Sequence, residues 1–227
     1  MGGFTIRIES WEVVAPLLLA FLLLLALRAA RGNPGWSGRT VPVRLLAALW
    51  AAALADLTWF PVVMDRAQNL APWYSQIQPV PGLGLLSADP SFALNALLFV
   101  PLGVLLPLMT RTELSAKGVA LRSLALSAVI ELTQLLMYAL FANGRSADAD
   151  DLLANTLGGV LGFLLLRLAL RSTASSRLVR SFALPGTPHA DRGNRSDGTD
   201  STDRSESTGR TEPEAGGTAP GEPVSRR

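Results

Sequence analysis

Five stretches of this chain are too apolar, and too similar in length, to belong to a water-soluble domain. They run from about Trp11 to Leu27, Val43 to Val63, about Ser91 to Met109, about Val119 to Phe141, and about Asp151 to Leu170. About 20 helical residues cross the hydrocarbon of a bilayer, and only a helix or a closed barrel satisfies its own backbone there. The chain is 49% hydrophobic in spite of a very polar last fifth. The fold class that follows is all-α: a polytopic membrane helix bundle of about five transmembrane helices with a disordered C-terminal tail. Pro101, Gly103 and Pro107 predict that the third span is kinked or partly unwound. The first span follows Glu9 and Glu12 and ends in arginines without a small-residue cleavage site, so it reads as a retained helix, not a signal peptide.

The connections between spans set an orientation, because Lys and Arg are kept on the cytoplasmic side. The first connection has Arg28, Arg31, Arg39 and Arg44 with no acid, and the third has Arg111, Lys117 and Arg122 against Glu113. Arg167, Arg171, Arg177 and Arg180 surround and follow the end of the last span. The second connection, with Asp65, Arg66 and Asp89, is slightly acidic, and the fourth sets Arg145 against three aspartates. Five spans satisfy every loop: a multi-pass protein of the cell membrane with its N-terminus and second and fourth connections outside, and its C-terminal tail in the cytoplasm. Residues 1–42 then form the first helix and an inner loop, 43–171 the main transmembrane domain, and 172–227 a tail too polar to bury a core.

Several chemistries are excluded at once. The chain has no cysteine, and its only histidine, His189, lies in the tail. A zinc site of the usual His or Cys kind is therefore not expected, nor is any metal or cofactor assigned. A formal charge of +2 gives no reason to expect nucleic acid.

What remains is a set of polar residues inside the apolar spans. Glu131 and Gln134 share a face of the fourth span, roughly 10 to 15 Å below the outer surface at about 1.5 Å per residue. Asp151 opens the fifth span, Asn155 sits one turn deeper on the same face, and Asn95 lies near the outer end of the third. With Arg145 and Asp148 they are candidates for one external-facing polar pocket. An unpaired carboxylate at such depth costs a few kcal/mol or more, so Glu131 needs a proton, a partner or water. Two readings stay open for it: a functional group, or a hydrogen-bonding residue that holds helices together. Asp148 and Asp150 also suit helix capping. Ala154, Gly158, Gly159 and Gly162 form a small-residue stripe that lets another helix approach, in this chain or in an oligomer through Ala154, Gly158 and Gly162. Asp56, near the outer end of the second span, has no assigned role.

Three blocks of the sequence carry a resemblance: Asn95-Ala-Leu-Leu-Phe-Val-Pro-Leu-Gly103, Ser127-Ala-Val-Ile-Glu-Leu-Thr-Gln134, and Arg145-Ser-Ala-Asp-Ala-Asp-Asp-Leu-Leu-Ala-Asn-Thr-Leu-Gly158. In this order and spacing they resemble the VanZ-like family of bacterial membrane proteins, named for a protein associated with teicoplanin resistance. Asn69-Leu-Ala-Pro-Trp73 looks like a variant of a further family block. The resemblance covers about Val43 to Leu170. It implies an envelope role and lowered susceptibility to lipoglycopeptide antibiotics, with Asn95, Glu131, Gln134, Arg145, Asp148, Asp151 and Asn155 as the family's polar positions. It implies no settled catalytic activity and no cofactor.

The functional expectation is a pocket for a membrane lipid, a lipid-linked wall precursor or a lipoglycopeptide. The alternatives are a membrane enzyme using carboxylate acid/base residues on a lipid-linked substrate, a small proton-linked transporter, and a structural protein. The orientation is directly testable because no native cysteine interferes. In intact cells, Gln78→Cys in the second connection is expected to react with a membrane-impermeant maleimide, and Ser115→Cys in the third only after permeabilisation. The reverse labelling pattern overturns the orientation.

Overall fold

The computed structural model describes residues 6–64, 71–141 and 146–192. Five helices are long and apolar enough to cross a membrane: α1 (Ser10–Ala30), α2 (Val41–Trp59), α4 (Pro90–Met109), α5 (Ala116–Phe141) and α6 (Ala149–Ala169). They are joined by short pieces: strands β1 (Ile6–Ile8), β2 (Val62–Met64), β3 (Ile77–Gln78) and β4 (Ala147–Asp148), and the single turn α3 (Leu83–Leu86). A further helix, α7 (Thr173–Phe182), follows the last span.

The bundle is built around α4 and α6. A methyl group at Gly158 would overlap the Ala96 carbonyl oxygen, one at Gly162 the Val100 carbonyl oxygen, and one at Gly103 the Gly159 carbonyl oxygen. Ala96 and Val100 thus pair in order with Gly158 and Gly162, so the two helices run parallel with their backbones in contact. In lipid, where apolar side chains gain little by leaving hydrocarbon, such close packing is a main source of helix association. The stripe of Ala154, Gly158 and Gly162 is buried under α4 of the same chain. Of the two approaches that the stripe allows, the one seen here is by a helix of the same chain.

α5 runs antiparallel against α6, and Ser123 Oγ occupies the space that a side chain at Gly159 would fill. α2 packs outside α4. Trp50 donates from Nε1 to the Leu98 carbonyl at 2.7 Å and meets Phe99 edge-on at 6.4 Å. That bond falls one residue after the Leu97 carbonyl, which Pro101 leaves without its helical N–H donor. α4 nevertheless continues as one helix through Pro101 and Pro107, without the unwound segment that the prolines suggested. α1 is the most exposed span, with Leu25 alone buried.

Two boundaries differ from expectation. The second span ends at Trp59 instead of Val63, because Pro61 drives Phe60 into extended geometry (φ −106°, ψ 154°). Val62–Met64 then pair antiparallel with Ile6–Ile8. The structured region also extends beyond residue 171, into the stretch read as disordered. Val179 packs on the cluster formed by Val43, Leu105, Leu108, Leu166, Ala183 and Leu184, and the Leu184 N–H donates to the Leu108 carbonyl at 2.9 Å. Val179, Ala183 and Leu184 supply enough apolar surface to dock, which the polar average of the tail concealed. The residues after Arg192 lie outside the described part.

Gly158→Ala is expected to destabilise the protein by about 1–3 kcal/mol or more, since its methyl group meets backbone that cannot move aside. Leu161→Ala, on a half-exposed face of the same helix, is expected to change thermal stability in detergent far less. Equal melting temperatures for the two variants would contradict the packing described.

Candidate functional site

The N-terminal ends of α4 and α6 and the C-terminal half of α5 meet at one end of the bundle. The connections there reinforce it, because β3 pairs in parallel with β4, Ile77 opposite Ala147 and Gln78 opposite Asp148. The α2–α4 and α5–α6 connections therefore lie on one side, with β1 and β2 at the matching ends of α1 and α2.

Glu131 is buried, 6% exposed, because α6 and β4 cover its face of α5. Its Oε2 accepts from the Asp148 N–H at 2.9 Å, and its carboxyl lies near that of Asp151. Two neighbouring buried carboxyl groups repel one another when both are ionised. Asn95 Nδ2 on α4 donates to Asp151 Oδ1. One turn deeper, Asn155 Nδ2 donates to Ser127 Oγ at 2.9 Å, and Ser127 Oγ donates on to the Asp151 carbonyl at 3.4 Å. Asn155 Oδ1 is buried with no hydrogen-bond partner among the described residues, an acceptor left open to a donor.

The structure thus brings together Asn95, Glu131, Asp148, Asp151 and Asn155. It does not bring in Gln134, whose Nε2 donates instead to the Thr58 carbonyl at 2.8 Å and ties α5 to the end of α2. Arg145 and Asn69 lie outside the described residues. Asp56 is exposed on α2 and takes no part in this network. Asp148 caps α6 as its position suggested, accepting from the Asp150 N–H at 2.8 Å.

Asp150 has a different role from the helix capping suggested for it. It is buried, with one carboxylate oxygen accepting from the Gly82 N–H and the other from the Gly84 N–H at 2.6 Å. Gly82 has φ +93°, a conformation open to glycine and strained for other residues. The fork anchors the start of α3 over the end of the bundle, and between them lies a polar cavity of about 170 Å³ lined by Asp89, Asp148, Asp150 and Asp151 among others. Ser127 was likewise missed as a site residue, since a serine in an apolar helix gives no signal until Asn155 is placed against it. No group of described His, Cys, Asp or Glu residues has metal-holding geometry. The acids bond to amides and backbone N–H groups, an arrangement suited to recognising polar groups and to moving a proton.

On the other side of Asn95 runs an apolar groove of about 940 Å³ between α2 and α4, lined by Leu46, Leu49, Trp50, Leu97, Val100 and Val104 among others. Asn95 lines it too, so a single residue borders both the groove and the carboxylate network.

Asp150→Ala removes two charge-assisted bonds, each worth about 1.5–3 kcal/mol. It is expected to release the connection before α4 and to speed chymotryptic cleavage at Trp73 and Tyr74 several-fold in detergent-solubilised protein. Asp89→Ala, at an exposed cap, is expected to change cleavage little. Equal cleavage of wild type and Asp150→Ala would show that the fork does not hold the loop.

A search of curated proteins and one of solved structures each returned no match. A family model described as VanZ/LLP1 matches residues 13–170, a region holding all five spans almost entirely and every site residue described above. On that match, joined to five apolar helices and the polar cluster at their meeting ends, the chain belongs to the VanZ-like family of membrane proteins.

Proposed function

We propose that this membrane protein acts in the cell envelope by holding a lipid-anchored polar ligand, and that it thereby lowers susceptibility to lipoglycopeptides of the teicoplanin kind. The observation that carries the reading is the double position of Asn95, which borders the apolar α2–α4 groove and bonds to Asp151 in the carboxylate network. An acyl chain entering the groove from the bilayer gains little hydrophobic free energy, since it leaves hydrocarbon for hydrocarbon. Selectivity therefore falls to the polar end, where a donor on the ligand meets the carboxyl groups that line the polar cavity. Membrane lipid, lipid-linked wall precursor and lipoglycopeptide share this design of apolar tail and polar head.

A second reading rests on the Glu131–Asp151 pair. Two neighbouring buried carboxyl groups, one of them protonated, would equip the site for acid/base chemistry on a lipid-linked substrate. In it, Glu131 exchanges the proton and Asn95 and the Asp148 N–H orient the two carboxyls. Ser127 is not the nucleophile, because it is fully buried and its hydroxyl already bonds to Asn155 and the Asp151 carbonyl.

A susceptible strain expressing the protein is expected to show a teicoplanin inhibitory concentration raised at least fourfold. Asn95→Leu, which keeps the groove apolar but removes the donor to Asp151, is expected to return it to baseline while the protein still reaches the membrane. No change on expression of the wild type overturns the resistance reading. Photo-crosslinking with a diazirine-bearing lipid, lost in Val100→Trp and retained in Leu161→Trp, tests the groove separately. Turnover of a lipid-linked substrate that falls at least a hundredfold in Glu131→Gln would favour the enzyme.

A further inference from the structure

The end of the bundle opposite the carboxylates holds a second cavity, of about 300 Å³. It lies among the last turns of α6, the α4–α5 connection and the chain from α7 to Arg192. Arg167, Arg171, Arg180 and Arg192 line it with His189 and one carboxylate, Glu113. That acid is already used: Arg192 Nη2 donates to Glu113 Oε1 at 2.8 Å, and this bond holds the Glu113 carboxyl below its usual range. The other three guanidinium groups form no ion pair among the described residues.

Two features separate this cluster from arginines that merely mark the end of a membrane helix. Arg180 Nε is buried with no hydrogen-bond partner among the described residues, and such a group normally has one. Arg180, His189 and Arg192 also come from beyond the last span, brought back by the packing of Val179, Ala183 and Leu184 on the bundle. His189 is held below its ordinary pKa by burial first, then by Arg192 and Arg180, so the cavity disfavours a further positive charge.

We propose that this cavity binds a phosphate group, with Arg180 and Arg171 as its principal donors. Planar guanidinium groups match phosphate oxygens in pairs of hydrogen bonds. The cavity has about ten times the ~30 Å³ that one water occupies in the liquid, enough for a phosphate and several waters. Basic pockets at helix ends of membrane bundles recognise lipid headgroups by this chemistry, and free inorganic phosphate presents the same oxygens. The site is independent of the ligand proposed at the opposite end.

The single histidine of the chain reports on the site. In full-length protein in a neutral detergent, the His189 titration is followed by proton NMR while inorganic phosphate or phosphatidylglycerol is added. Sodium chloride at equal ionic strength and phosphatidylcholine are the controls. A bound anion beside the imidazole is expected to raise its pKa by about one unit. A response to phosphatidylglycerol alone identifies a lipid headgroup, to inorganic phosphate alone a free ion, and to both the phosphate group itself. Arg171→Gln, an exposed change, is expected to weaken the half-saturating concentration at least threefold, and Arg180→Gln at least tenfold. Arg122→Gln on α5, outside the cavity, is expected to leave the response unchanged. If neither phosphate source moves His189 beyond its control, or if Arg171→Gln and Arg180→Gln respond as wild type does, the proposal is overturned.

Discussion

The contact of α4 with α6, glycine against backbone carbonyl, is the interaction on which the other features depend. A membrane bundle cannot rely on expelling water between its helices, so it holds together where surfaces fit closely enough for dispersion and polar contacts to add up. Gly103, Gly158 and Gly162 remove the side chains that would keep the backbones apart. The resulting register is narrow, because moving either helix by one residue would set a side chain against a carbonyl. Asn95, the residue before Ala96, reaches Asp151, two turns before Gly158, because Ala96 and Gly158 hold the two helices in contact there.

Within that frame the buried acids become intelligible. Glu131 and Asp151 lie within apolar helices with amide and backbone donors around them, which offsets desolvation that neither would tolerate alone. Asp150 spends its charge on the backbone of Gly82 and Gly84, so three neighbouring aspartates have three roles: Asp148 caps α6, Asp150 anchors a loop, and Asp151 joins the polar network. Asn95, bonded to Asp151, lies beside an apolar groove. The polar network and the apolar groove thus meet at one residue.

The opposite end shows the same economy of parts with the charges reversed. The segment from Thr173 to Arg192 docks by a few apolar side chains and in doing so carries Arg180, His189 and Arg192 against the arginines that end α6. The protein therefore has an acidic, hydrogen-bonded end and a basic, largely unpaired one, separated by the length of α4 and α6.

Much of this was legible in the sequence. Hydropathy is a local property, and a run of about 20 apolar residues needs no partner to declare itself, so the five spans and their order followed directly. The sameness of side for the second and fourth connections followed from charge and the odd number of spans, and β3–β4 pairing agrees with it. Asn95, Glu131, Asp151 and Asn155 stood out because polar groups in hydrocarbon need a reason. Tertiary structure alone decided which partner each one took. Gln134 shares a helix face with Glu131 yet bonds to Thr58 on α2, and the glycine stripe that fitted a second copy is covered by α4. The docking of residues 173–192 depends on a few apolar side chains finding the ends of α2, α4 and α6, which composition averages away. Sequence states which groups must be satisfied; only the register of packed helices determines what satisfies them.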